Sequence, residues 1–89
     1  MKAVLTVIGK DKVGIIAAVS KVLSENNVNI LDISQTIMQG MFTMIMLVRF
    51  NEPESDINVL SGKMSEIEKD MGLSIHIQNE EVFNSMHRI

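Results

Sequence analysis

The stretch VNILDISQTIMQGMFTMIMLVRF, residues 28–50, decides the fold. Its second half, Met41 to Phe50, is an almost continuous apolar run rich in the residues that strands favour. Its first half, Val28 to Met38, is also strand-like, but the alternation is untidy around Asp32 and Gln35, which predicts a bulge or an edge position. Between them, Gln39-Gly40 is a two-residue turn, so the two runs form a hairpin. Outward from the hairpin the chain is symmetrical. On the N-terminal side, Lys2 to Gly9 carries Val4, Thr6, Val7 and Ile8, a strand with apolar residues on both faces. It is followed by a helical stripe of Ile15, Ile16, Val19, Val22 and Leu23, closed by Asn26-Asn27. On the C-terminal side, Ile57, Leu60, Met64, Ile67 and Met71 recur at spacings of three and four, which predicts a helix over Glu54 to Met71, after Pro53 and before Gly72. Leu73, Ile75 and Ile77 then alternate with Ser74, His76 and Gln78 as a last strand.

The order is therefore βαββαβ, an α+β ferredoxin-like arrangement: a four-stranded antiparallel sheet with two helices on one face. The rule for crossover handedness puts the first and third strands in the centre and the second and fourth at the edges. Residues 1–78 are expected to form the domain. Residues 79–89, with Val82, Phe83, Met86 and Ile89 at helical spacing, are expected to form a short C-terminal helix packed on it. Helices on one side leave the other sheet face open, yet the third strand is apolar on both parities. An exposed face of that kind predicts an interface, and hence a homodimer.

Composition narrows the function. With 89 residues there is room for one core, and 46% apolar against 21% charged residues suits a globular chain. Eight Lys and Arg against eleven Asp and Glu give a net charge of −3, dispersed along the chain, so nucleic acid is not expected as a partner. The absence of cysteine excludes disulfides, cysteine-based metal sites and thiol nucleophiles. Apolar runs such as Met44 to Val48 are far short of the ~20 residues of a membrane span, and Ala3 to Ile8 is too short for a signal peptide, which gives a cytoplasmic reading without a membrane. His76 and His87 are eleven residues apart, not a metal-ligand spacing, and read as solvated side chains. Neither a metal nor a cofactor is expected. There is no phosphate-binding glycine loop, no nucleophile elbow and no Ser-His-Asp arrangement, so the chain does not read as an enzyme.

The chemistry concentrates in Gly9-Lys10-Asp11-Lys12-Val13-Gly14-Ile15-Ile16, followed by Asn29 in Val28-Asn29-Ile30. Asp-Lys-x-Gly-Ile at the opening of the first helix and Asn-Ile at the opening of the second strand resemble the ACT domain family over about residues 2 to 78, and within it the small free-standing bacterial members similar to the glycine cleavage repressor. Many ACT regulators have proline where Val13 stands. The resemblance implies a regulatory module that binds a small molecule, an amino acid first of all, at the interface between ACT units and passes the signal to a separate partner protein. It points to Asp11, Lys12, Val13, Gly14, Ile15, Asn29 and Ile30 as the ligand-binding set.

Physical reasoning supports that location. Free amides at a helix N-terminus favour a carboxylate, a glycine at position 14 admits close approach, Asn29 offers donor and acceptor, and Asp11 can neutralise an ammonium. Each residue also has a purely architectural reading: Asp11 as helix cap, Gly14 as packing glycine, Asn29 as the end of a turn. Two other functions stand beside ligand sensing. One is a protein-interaction adaptor without a ligand, working through the apolar sheet face. The other is a small hydrolase, for which only Lys10 and Lys12 would supply cationic groups near the first loop.

Overall fold

In the computed structural model, which describes residues 1–86, the elements run β1 (Lys2–Lys10), α1 (Ile15–Glu25), β2 (Val28–Met38), β3 (Met41–Phe50), α2 (Ile57–Met71), β4 (Leu73–Asn79) and α3 (Glu80–Met86). The sheet is antiparallel with order β2-β3-β1-β4, so β1 and β3 are central as expected. Gln39 and Gly40 both have positive φ, the geometry of a tight two-residue hairpin turn. The irregularity in β2 is a bulge between Ile30 and Asp32. His87 and Ile89, assigned above to a solvated position and to the tail helix, lie outside the described residues.

Two sequence expectations need correction. The second helix starts at Ile57 rather than Glu54, because Asp56 stays extended and its carboxylate accepts from Asn58 N at 2.7 Å, which makes it the cap. Asp11 is not the cap of α1: the cap position is Gly14, three residues further on, and no side chain caps that helix.

The core lies between the sheet and the two long helices. Register puts Leu5 opposite Met46 and Ile77, and Val7 opposite Met44 and Ile75, so one parity of each central strand shares a face. That face is covered by Ile15, Val19 and Leu23 of α1 and Leu60, Met64 and Ile67 of α2, all buried. The fully buried side chains are aliphatic or methionine, and Phe42 and Phe50 are the aromatic members of the core. On the opposite face, Gln78 Nε2 donates to Met86 Sδ at 3.3 Å and Val4 is buried outside the helix-side core, so α3 packs over the β1–β4 half. The β3 half of that face keeps Met41 and Ile45 exposed.

The two sheet edges differ. At β4, which is seven residues long, the Ile75 N–H donates to Glu68 Oε2 of α2 at 2.8 Å, so a side chain occupies a main-chain donor next to solvent. At β2, which is eleven residues long, every residue but Val28 is exposed, including Ile30, Ile33 and Ile37. Ile33 and Ile37 stand opposite Met46 and Phe42, so they face the helix side of the sheet but extend past the cover that α1 provides.

Candidate functional site

The segment between β1 and α1 is held from three directions. Asp11 N donates to Gly40 O at 2.7 Å, tying it to the tip of the β2–β3 hairpin. Lys12 Nζ donates to Met71 O at 2.5 Å, at the C-terminal end of α2, where a helix leaves carbonyls without intrahelical partners. Gly9 sits so close to β4 that a Cβ there would stand 2.5 Å from Leu73 Cδ2. The loop is thus wedged between two turns of the sheet. Lys12, expected to meet a ligand, has its ammonium on α2. Lys12→Ala is expected to cost about 0.5 kcal/mol, a salt-sensitive loss readable by thermal melting at low and high ionic strength.

Gly14 closes the loop. Its φ of 94° lies in the left-handed region, where a side chain would be strained, and it caps α1 through backbone alone: its carbonyl accepts from Ala18 N at 2.9 Å. Among the described residues no side chain accepts from the first-turn amides of α1. The amides therefore keep hydrogen-bonding capacity for an anionic group, reinforced by the helix dipole.

A recess of about 230 Å³ opens at this helix end. Asp11, Lys12, Gly14 and Ile15 of the sequence-derived set contribute to its wall, and β2 adds Gln35 and Ile37. Val13 does not: it is fully exposed. Asn29 and Ile30 lie elsewhere, in a second recess of about 280 Å³ toward the C-terminal end of α1, with Ser20, Ser24, Asn27 and Asn51. There Asn51 Nδ2 donates to Asn27 O at 2.9 Å and to Asn29 Oδ1 at 3.1 Å. The seven residues thus fall into two groups at opposite ends of one helix, whose eleven residues span roughly 16 Å.

Sequence reasoning missed Gln35, Ile37, Asn51 and Ser20. Gln35 had a signal, since it breaks the alternation of β2 on what register shows to be the helix-side parity, opposite Met44. Asn51 had none, being brought beside Asn29 only by the pairing of Val28 with Phe50. A third recess, of about 410 Å³ at the start of α2 beside Glu52 and Asp56, contains none of the sequence-derived residues. His76 is exposed on the sheet face opposite the long helices, 3.3 Å from Ser74 Oγ. Among the described residues no three His, Asp or Glu side chains are grouped as a metal site, and no helix is long and apolar enough to cross a membrane.

Residues 2–78 match the ACT domain family. A UPF0237 protein of Clostridium perfringens is 57% identical over 89 residues, covering the whole of both chains. Among solved structures, an ACT domain protein from Streptococcus pneumoniae is 38% identical over 93% of each chain, with a TM-score of 0.79. A putative glycine cleavage system transcriptional repressor shares the fold at 21% identity and a TM-score of 0.77, over 86% of this chain and 44% of that one.

Proposed function

The chain belongs to the ACT domain family, and from that premise we propose that it is a non-enzymatic sensor which binds a free amino acid and signals to a separate partner protein in the cytoplasm. The observation that carries the reading is the N-terminus of α1, which no side chain caps, opening into the same recess as Asp11. Amides and helix dipole suit the carboxylate of an amino acid, and Asp11 suits its ammonium. Equilibrium dialysis of the twenty amino acids against the protein tests this. At least one is expected to bind, and no binding by any of them would overturn the reading.

The site is completed by a second copy. Asp11 to Ile15 and Asn29 are separated along α1 within one chain, and an antiparallel pairing of two β2 edges, with α1 alongside α1, would carry the Asn29 end of one copy toward the Asp11 end of the other. Each edge strand has one main-chain donor occupied by a side chain, Ile33 N by Asp32 on β2 and Ile75 N by Glu68 on β4, so what supports β2 as the place is its greater length and its row of exposed isoleucines. We take this edge, rather than the open sheet face, as the dimer contact. Ile33 is 44% exposed and Ile45, on the open face, 43%, so lysine at either is compatible with the fold. In sedimentation at micromolar concentration the wild type and Ile45→Lys should be dimers and Ile33→Lys a monomer. A wild-type monomer, or dissociation by Ile45→Lys instead, would contradict the assignment.

A further inference from the structure

The recess at the start of α1 differs in character from its polar ends. Between Asp11 and the first-turn amides, the wall is made by Ile16 and Ala17 of α1 and Ile37 of β2, with Phe42 behind. Ile16 and Ile37 remain exposed although their neighbours Ile15 and Phe42 are buried, so an apolar wall is already in place and unfilled by this chain's own side chains. Two charged groups line the recess: Lys12, whose ammonium donates to Met71 O, and Asp11, whose carboxylate has no hydrogen-bond or ion-pair partner among the described residues. At ~30 Å³ for each water in the liquid, 230 Å³ has room for about eight non-hydrogen atoms.

Resting on the amino-acid reading, we propose that this recess selects a neutral amino acid with an aliphatic side chain of the size of valine, leucine, isoleucine or methionine, in preference to glycine and to dicarboxylic amino acids. The α-carboxylate meets the α1 amides and the α-ammonium meets Asp11. The side chain lies on Ile16 and Ile37, where each methylene removed from water is worth about fourfold in affinity. A second carboxylate would lie on the apolar wall and face Asp11, so aspartate and glutamate are disfavoured there, and Lys12, the cation at the rim, is drawn toward Met71 O.

Calorimetric titration with leucine, glycine, aspartate and lysine tests the assignment. Leucine should bind at least tenfold more tightly than each of the others. Ile37→Ser and Ile16→Ser, both at exposed positions, should each reduce the leucine-to-glycine ratio by threefold or more while leaving the circular dichroism spectrum unchanged. Lys12→Ala should leave the leucine-to-aspartate ratio within twofold of the wild type. Glycine or aspartate binding as tightly as leucine, or a ratio unmoved by both serine variants, would overturn the side-chain assignment and leave the amino-acid reading standing. Binding of none of the twenty amino acids would remove both.

Discussion

Leu5→Ala is expected to lower the unfolding free energy by about 3 kcal/mol, from a total on the order of 9 kcal/mol for a chain of this length. Leu5 has no exposed surface, stands at the middle of the central strand β1 and packs between Met46 on β3 and Ile77 on β4. Truncation removes the transfer free energy of its terminal carbons and leaves a void that neighbours on strands held by ladders from both sides cannot fill. At roughly 4–8 °C per kcal/mol for a domain of this size, the melting temperature should fall by about 12 °C or more. Urea unfolding at a fixed protein concentration checks it, with the midpoint moving and the slope unchanged. A loss below about 1 kcal/mol would mean that the methionines around it, Met44 and Met46, reshape to fill the space.

The second large effect is an upward shift of the melting temperature by the right amino acid. A ligand that binds only the folded protein and is present at a hundred times its dissociation constant adds about 2.7 kcal/mol, a rise of roughly 10 °C or more. Asn29→Ala removes a hydrogen-bonding group placed at the other end of α1. Loss of one hydrogen bond to a charged ligand group costs about 1.5 kcal/mol or more, about tenfold in affinity, so at the same ligand concentration the shift should shrink to about half. Because Asn29 also accepts from Asn51, the variant's unliganded melting temperature is the baseline for that comparison. A full-sized shift in Asn29→Ala would place the ligand entirely within the α1 N-terminal recess of one copy.

These effects divide along the same line as the legibility of the chain. The hairpin of β2 and β3, the apolar stripe of α2 and the alternation of β4 are local patterns, and each element is found with boundaries that match the periodicity or differ by a few residues. The start of α2 is not legible in the sequence because Glu54 and Ser55 are as acceptable in a first turn as in a loop, and the side chain of Asp56 makes the choice. The cap of α1 is hidden for a similar reason: residue type favours Asp11, but the residue that caps is the one at the turn, and the positive φ of Gly14 puts the turn three residues later.

For the site, the sequence carried its chemistry and not its assembly. Residue types alone designate a glycine before an apolar helix, an acid beside it and an asparagine at the opening of a strand, because those preferences arise from backbone geometry and hydrogen bonding within a few residues. The separation of Asp11 from Asn29 by the length of a helix, the bond of Lys12 to the Met71 carbonyl at the end of α2, and the bond of Glu68 to the edge of β4 all depend on the tertiary fold. Such contacts are decided by how the two βαβ halves pack around one core, a property of the whole chain that no local pattern encodes.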